Sequence, residues 1–567
     1  MKLLIKSKQN TSKIVVLLSS ILFLSCNDYM DVNTDKDNPT TAPLSFLLTG
    51  TQVDLNNNTN FLDNSGSVLQ VYTHQMTARE EQDQYGAKVN NVGLQNDWQN
   101  LYLTLTNIET LIAQAQESED LIYVGIAQMQ KVYLMSVAVD LWGDVPYSEA
   151  NKLKNGIIAP KFDNQKEIYN SLFELIETAK TNLKSELGAK PKADDLFYGG
   201  DTEKWIRFAN TFKLKLYNQT RLTADFDQEG FDALIAENNF FKSIDDDFEF
   251  KHTKNISPTD ERNKLFLESY NSTQFGTYMS PWFYEILMGM NPNIHNDNPD
   301  PRIKYYFYNQ LEAGEYPELA DTDTGDPKAD YWDATTGFFS IRFGSQGPWR
   351  DFSTENSNTY PGIFPCGGRY DDGEGETMDA TKAGGVAPHR ILTYDEFLYI
   401  QSELIQEGKL TGNAAAKLQE AMEASFAKVD QVVVVANSET KQTGIPVLVG
   451  SNEVETFINK IITEFNGGND DKKLEIIMTQ KWVATFGDPM DQYTDYRRTG
   501  FPIFANPNST TPEYQLDNGD EYPLVDSETV LNTAYPLSLF WPQSELNVNK
   551  NAPAQKIPGT YKIFWDN

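Results

Sequence analysis

Apolar residues recur at helical spacing over most of this chain. One stripe, at offsets of 0, 4, 7, 8, 11 and 15 residues, consists of Ile168, Leu172, Leu175, Ile176, Ala179 and Leu183. Three more stripes of the same kind lie within 122–137, 205–216 and 474–486. Such spacing is typical of amphipathic helices, each of which needs an apolar partner surface. The pattern therefore predicts a mainly α-helical protein whose helices pack as pairs in a solenoid-like stack.

The middle of the chain lacks this period and is rich in glycine and aromatic residues. Between Gly325 and Gly385 there are 11 glycines and 10 aromatic side chains in 61 residues. A long stretch without regular structure inside a domain is usually functional or disordered, and ten aromatic side chains argue against disorder. We therefore expect an ordered, loop-rich insertion that lies on the helical scaffold.

The N-terminus has the layout of a secretory signal. Four lysines and no acidic residue accompany the apolar stretch 14–24, which is followed by Ser25 and Cys26. A small residue followed by cysteine is how a bacterial lipoprotein signal ends, and the cysteine then carries the acyl chains that anchor the protein. We predict lipidation at Cys26. The alternative is an ordinary signal cleaved nearby, which would leave a soluble exported protein.

These features divide the chain into three parts. We predict a lipoprotein signal peptide over 1–25, a polar, lipid-anchored tether over 26–43 and a single domain over 44–567. Within the domain we expect a helical scaffold at about 44–240 and 390–500, with a loop-rich ligand region at about 250–390. Because nothing after the signal reaches the roughly 18 apolar residues of a membrane span, the mature protein is expected to lack transmembrane helices.

Composition restricts the classes of ligand. The chain has 81 acidic and 47 basic residues, a net charge of −34. Such a charge repels nucleic acid and anionic surfaces, and it suits a neutral or cationic ligand. If Cys26 is acylated, the other cysteine, Cys366, has no disulfide partner within the chain and is expected to be a buried thiol.

The sequence carries no recognisable catalytic motif, and we predict that the protein is not an enzyme. Its four histidines are too far apart for a zinc-peptidase motif, and it has neither a nucleophile elbow nor a phosphate-binding loop. No cofactor is expected. Residues 31–42 fail as a calcium loop because Lys36 and Ala42 stand where glycine and glutamate are required. A structural calcium ion there or at the acidic stretch 371–376 is a minor alternative to a solvated loop.

Six tracts, in order along the chain, resemble the SusD/RagB family of outer-membrane lipoproteins of Bacteroidota. The second SusD-like subfamily, that of nutrient-binding lipoproteins, is the most similar branch. The tracts are VAVDLWGDVPYSEA (137–150), YGGDTEKWIRFANTFKLKLYNQTRL (198–222), DPRI (300–303), ILTYDEFLYIQSELIQEG (391–408), QKWVATFGDPMDQYTDYRRTGFP (480–502) and FWPQSELNVNKNA (540–552). In the fifth tract we expect Asp491 and Asp495 to pair with Arg497 and Arg498 and so to fix a turn.

The resemblance implies an all-α-dominated, SusD-like fold of four tetratricopeptide-like helix pairs with a large loop-rich insertion. It also implies a lipid-anchored protein on the surface of the outer membrane. There the protein would bind a nutrient, usually a glycan oligomer and in some relatives a peptide. It would also act as the lid of a TonB-dependent, SusC-like barrel.

The ligand residues cannot be transferred from these tracts, so they are predicted from position and chemistry. Sugar rings stack on stiff aromatic side chains, and arginine and glutamine supply hydrogen-bond donors. The expected sites are the loop THQMTAREEQDQY (73–85), the stretch PWFYEI (281–286) and the aromatic insertion. The predicted ligand-binding residues are Gln75, Arg79, Tyr85, Trp282, Trp332, Trp349 and Arg350.

Two other functions are alternatives to a binder and lid. A surface glycosidase or peptidase has only the many carboxylates and aromatic residues in its favour, and carboxylate pairs occur in any fold with 81 acids. A purely structural envelope protein would bind no ligand, and the aromatic insertion argues against it. A non-catalytic binder and lid is the function that the sequence favours.

Overall fold

The computed structural model describes residues 42–60, 65–79, 85–86, 88–272, 276–317, 331–344, 357–505 and 534–566. The signal, almost all of the tether, Cys26, Trp349 and Arg350 lie outside these ranges, so their predicted roles stay predictions. Almost the whole of 31–42 also lies outside them.

Helices dominate the described chain. They are α1 (Leu44–Thr59), α2 (Ser65–Tyr72), α3 (Val92–Glu117), α4 (Leu121–Trp142), α5 (Gln165–Leu183), α6 (Thr202–Thr220), α7 (Gln228–Glu237), α8 (Lys264–Tyr270), α9 (Pro281–Leu287), α10 (Ile303–Tyr306), α11 (Ile363–Cys366), α12 (Tyr394–Gln406), α13 (Ala414–Thr440), α14 (Asn452–Gly467), α15 (Asp470–Ala484), α16 (Pro489–Thr499) and α17 (Gln543–Val548). Several begin at side-chain caps: Asn164 accepts from the first N–H groups of α5, and Asp201 does the same for α6.

Consecutive helices pack against each other as tetratricopeptide-like pairs. The pairs are α3 with α4, α5 with α6, α12 with α13, and α14 with α15. The first two pairs are joined by the packing of α4 on α5, and the last two by the packing of α13 on α14. Helix α6 also contacts α12 and α16, so the N-terminal and C-terminal pairs meet in one interior. The predicted helix-dominated, SusD-like fold is confirmed.

The predicted helical stripes are buried faces. Trp205, Phe208 and Phe212 of α6 are almost fully buried, as are Ile168 and Leu172 of α5. Burial of these stripes, at roughly 25 cal/mol per Å² of apolar surface, is the main force that holds the pairs together.

Between the two sets of pairs lies a region of loops and short antiparallel strand pairs. The strands are β1 (Met76–Ala78), β2 (Val145–Pro146), β3 (Phe162–Asp163), β4 (Phe248–Phe250), β5 (Thr277–Met279), β6 (Phe307–Tyr308), β7 (Tyr331–Asp333), β8 (Phe338–Ser340), β9 (Tyr360–Pro361) and β10 (His389–Leu392). They form two-stranded pairs: β1 with β5, β2 with β3, β4 with β10, β6 with β9, and β7 with β8. Most of them lie between 248 and 392, where the sequence predicts the loop-rich insertion.

One expectation about membrane spans needs correction. Helix α4 is long and apolar enough to cross a membrane by length and composition, but 94% of its most apolar 18-residue window is buried inside the protein. The helix is this apolar because it is buried on nearly all sides, so it lacks the polar face of an ordinary amphipathic helix. It is a central helix of the core.

A network of buried ion pairs joins helices of both halves. We call it the buried ion network; it consists of Lys215, Arg221, Glu396, Glu403, Lys481, Asp491, Asp495 and Arg498. Four acids thus face four bases, drawn from α6 and the residue after it, α12, α15 and α16. At its centre Glu403 pairs with Arg498 and also lies 2.8 Å from the guanidinium of Arg221.

The ion pairs expected in the fifth tract, 480–502, form only in part. Arg498 pairs with Asp495 at 2.7 Å, as predicted. Asp491, however, pairs with Lys215 of α6, and Arg497 donates to the backbone carbonyls of Asp140 and Leu537. The prediction for Asp491 and Arg497 is wrong because both side chains reach other elements that only the fold brings near.

Removing one partner of the buried ion network should be strongly destabilising. In an Arg498→Met variant, Glu403 and Asp495 lose a guanidinium that has no solvent exposure, and we expect unfolding free energy to fall by about 3–5 kcal/mol. The matched control is Lys190→Met, which removes an exposed ion pair with Glu186 and should cost under about 1 kcal/mol. Urea denaturation of both variants measures the difference, and similar losses would contradict the argument.

Asp488, next to this network, should make stability depend on pH. Burial, and then the charge of Asp491, raises the pKa of Asp488 from 3.8 to about 8. The folded protein therefore keeps a proton that the unfolded chain loses, so this residue's contribution to stability declines as pH rises from about 4 to about 8. As pH rises over that range, the stability of Asp488→Asn should increase relative to that of the wild type. Above about pH 8 the difference should stay constant. Urea denaturation at pH 5, 7 and 9 tests this; a constant difference would refute it.

Candidate functional site

Aromatic side chains from distant segments meet beside the loop predicted to bind ligand. We call this group the aromatic cluster; it consists of His74, Tyr85, Phe343, Tyr496, Phe504 and Tyr535. The His74 ring stacks on Phe504, with centroids 4.9 Å apart, and lies 3.9 Å from Phe343. Tyr85, Tyr496 and Tyr535 are half-buried, whereas His74, Phe343 and Phe504 are buried.

Helix α15 and strand β5 fix the turn that carries His74. The indole N–H of Trp482 donates to the Thr73 carbonyl, and the Gln75 amide donates to the Trp482 carbonyl. The backbone at His74 is left-handed (φ 58°), a strained conformation for a residue with a Cβ. Immediately after it, β1 pairs with β5. The turn is thus held on both sides of the histidine.

The electrostatics of the cluster are those of a neutral aromatic surface. Burial lowers the pKa of His74 to about 3, so its ring is uncharged at neutral pH. Its Nε2 lies 2.8 Å from the Tyr85 hydroxyl, within hydrogen-bonding distance. Tyr85 itself has a left-handed backbone (φ 53°). Stiff, uncharged rings of this kind suit the apolar faces of a sugar or a side chain better than a charged group.

Trp332 lies on the β7–β8 hairpin and forms an aromatic pair with Tyr316. Its ring centroid is 4.9 Å from that of Tyr316, which is 44% exposed. Trp332 is half-buried and so has a partly accessible ring. The hairpin is joined to the β1–β5 ladder, because the Ser340 hydroxyl donates to the Met279 carbonyl at 2.5 Å.

Two predicted ligand residues make structural contacts. Trp282 is 2% exposed and its indole N–H donates to the Ile503 carbonyl. Gln75 has no exposure, and its amide is used in the contact with Trp482. Both side chains fix a loop to the core in this structure, and their predicted roles in binding stay predictions.

Arg79, another predicted hydrogen-bond donor, lies at the edge of the site. Arg79 is half-buried and its backbone N–H donates to the Gly276 carbonyl, which continues the β1–β5 pairing. Its role in binding stays a prediction.

The acidic stretch 371–376 is occupied by protein contacts. Asp371 accepts from the backbone N–H of Gly373 and the Asn309 amide, and Glu376 pairs with Lys382. In the part of the chain that the structure describes, no group of three or more His, Cys, Asp or Glu side chains is arranged to hold a metal ion. Cys366 is a free, buried thiol, and burial raises its pKa to about 12.

Sequence reasoning missed most of the aromatic cluster. Phe343, Phe504 and Tyr535 have no local pattern that separates them from core residues. Their one sequence signal is position, since each lies in a stretch without helical period. His74 lies in the predicted loop 73–85 but is not among the predicted ligand-binding residues, and its stacking on Phe504 joins positions more than 400 residues apart.

Comparison with known proteins agrees with this fold. The family described as SusD-like_2, starch-binding associating with outer membrane, matches residues 36–523. No curated protein sequence matches the chain.

Several solved structures share the fold at low sequence identity. A SusD homologue from Bacteroides fragilis is 17% identical with a TM-score of 0.64, over 93% of this chain and 99% of that one. A chitin-binding protein is 21% identical with a TM-score of 0.63, over 93% of this chain and 100% of that one. A chitin-binding SusD homologue from Flavobacterium johnsoniae is 17% identical with a TM-score of 0.60, over 92% of this chain and 98% of that one.

The family match covers far more than half of the chain, and solved SusD homologues share the helix-dominated fold. The chain therefore belongs to the SusD-like family of starch-binding proteins that associate with the outer membrane.

Proposed function

We propose that this protein is a non-catalytic, surface-exposed lipoprotein that binds a nutrient glycan and acts as the lid of a SusC-like, TonB-dependent outer-membrane barrel. The observation that carries the proposal is the aromatic cluster, in which the half-buried Tyr85, Tyr496 and Tyr535 pack against the buried rings of His74, Phe343 and Phe504 in a SusD-like fold. Two of the similar structures are of chitin-binding proteins, which supports an oligosaccharide as the first ligand to test.

The physical logic of glycan binding is rigidity. Stacking a sugar on a ring that is already fixed costs little conformational entropy, so more of the contact energy appears as affinity. In the aromatic cluster, Trp482 and the β1–β5 ladder hold His74, and the Tyr493 hydroxyl holds the Tyr535 segment by donating to the Pro536 carbonyl at 2.7 Å. The net charge of −34 favours a neutral ligand over an anionic one.

A non-catalytic role is supported by the state of the histidines. All four are buried, and burial lowers the pKa of His74 and His389 to about 3 and of His252 to about 4. The fourth, His295, is engaged with Glu464 at 2.9 Å and with Gln480. His74, His252 and His389 therefore lack the pKa near neutrality that acid–base catalysis by histidine requires.

Anchoring rests on Cys26 and the signal before it. An acylated cysteine followed by a polar tether keeps a protein on the membrane while leaving its body free to move. That arrangement suits a lid, which must separate from its barrel without leaving the surface.

Removing exposed aromatic rings should weaken ligand binding. We expect Tyr85→Ala or Trp332→Ala to lower the affinity for a bound oligosaccharide roughly tenfold, because each change removes a stacking surface. Calorimetric titration of the mature protein against chito-oligosaccharides, malto-oligosaccharides and mixed peptides measures this.

The matched control is Phe46→Ala, which removes a ring that is 71% exposed on α1, outside the site. Equal losses in all three variants, or none in the two site variants, would refute the site. If only peptides bind, the site is upheld and its ligand is a peptide instead of a glycan.

The native protein should be recovered with a barrel. When tagged protein is solubilised from outer membranes, we expect a TonB-dependent barrel to co-purify in an amount close to equimolar. A Cys26→Ser variant should lose its acyl chains, detected by mass, and leave the membrane fraction. Recovery of the acylated protein without any barrel would refute the lid role, and membrane retention of Cys26→Ser would refute the anchor.

A further inference from the structure

A partly open, mainly apolar cavity adjoins the aromatic cluster. Its volume is about 180 Å³, and Tyr85, which belongs to the cluster, forms part of its wall. The other walls come from four separate parts of the chain: the end of α2, the start of α3, the segment 534–540 and the segment 557–560.

The lining of the cavity is mainly apolar, and its polar side-chain groups are the hydroxyls of Ser538, Thr560 and the two tyrosines. Leu94 and Leu539 are 4% and 2% exposed, and Pro536, Pro558 and the ring of Tyr72 complete the apolar walls. In its lining the structure places no lysine, arginine, aspartate, glutamate, asparagine or glutamine. A group that enters this space therefore gains burial of apolar surface and finds few hydrogen-bond partners.

Volume and polarity together define what fits. A closed apolar cavity of about 150 Å³ holds a benzene molecule, so by volume this partly open one has room for a phenyl or isobutyl group. A whole sugar ring is excluded on polarity, because its several hydroxyls would be buried with few partners. The cavity thus suits one small hydrophobic substituent.

Position links the cavity to ligand binding. Tyr85 belongs to both the cavity wall and the cluster, and its ring lies 5.2 Å from both Phe343 and Tyr535 and 5.7 Å from Tyr72. A ligand that stacks on the cluster can therefore place a substituent past Tyr85 without leaving the site. Ala534 lines the cavity, is exposed and lies next to Tyr535.

We propose that this cavity is a subsite for one small apolar group of the bound nutrient, up to the size of a phenyl ring. The group is either the acyl methyl of a modified sugar or an aliphatic or aromatic side chain of a peptide. The inference rests on the proposed function, because it assumes that the aromatic cluster binds the nutrient.

The first test uses toluene as the probe and needs no knowledge of the nutrient. Toluene should raise the melting temperature of the mature protein, because it binds only the folded cavity. Two variants that fill the space, Ala534→Phe at its exposed edge and Leu94→Phe at its buried wall, should abolish the rise. The control Ala113→Phe adds a ring at an exposed position of α3 and should keep it.

The second test identifies the source of the group. Titrations compare chitotetraose with cellotetraose, which differ in the acetamido group, and Gly-Leu-Gly-Gly with tetraglycine. We expect one member of one pair to bind about tenfold or more tightly than its partner, and Ala534→Phe to remove that preference. A preference within the sugar pair assigns an acyl methyl, and one within the peptide pair assigns a side chain.

The outcomes distinguish failure of the subsite from failure of the proposed function. If toluene gives no rise while an oligosaccharide binds, the subsite is refuted and the proposed function stands. If toluene binds but both members of each pair bind equally, the cavity is a packing void and the subsite is refuted. If no sugar or peptide binds, the proposed function fails, and the subsite fails with it.

Discussion

Glu403 and Arg498 face each other with no solvent exposure, and the packing of both halves of the molecule depends on that contact. A carboxylate and a guanidinium in an apolar interior are costly to desolvate, so they are tolerated only where further partners satisfy them. Here Arg221, Asn218 and Asp495 supply those partners from α6, the residue after it and α16. The ion network therefore permits one mutual arrangement of these helices, whereas apolar packing alone would tolerate small slides.

The same helix that carries part of this network also carries part of the site. Helix α16 directs Asp495 and Arg498 inward, while Tyr496, on another face, stacks on Phe504 at 4.4 Å and lies 4.6 Å from Tyr535. Trp482 of α15 likewise holds the turn that presents His74. The aromatic cluster thus packs directly on the scaffold, with His74, Phe343 and Phe504 buried in it, and its stiffness comes from the neighbouring buried charges and rings.

Local patterns predicted the scaffold well and the site poorly. The stripe on α5 is visible in the sequence because burial of one face imposes the 3.6-residue period whatever the partner. Trp282 and Trp332 have no such distinction: each lies in a part of the sequence without a long helical period, yet one is core and the other half-buried. Gln75 also looked like a ligand donor, but its amide holds the chain to Trp482. Which of these side chains meets solvent depends on segments hundreds of residues away.

By itself the sequence determined the helical class, the loop-rich middle, the lipoprotein-type start and the absence of recognised catalytic motifs, because these depend on spacing and residue type within short stretches. The six ordered tracts also identified the family. Only the tertiary structure decided which aromatic rings form a surface, that α4 is a core helix and not a membrane span, and that Asp491 pairs with Lys215. Those outcomes depend on long-range contacts, and the energy that selects them, burial together with desolvation, exists only once the helices have packed.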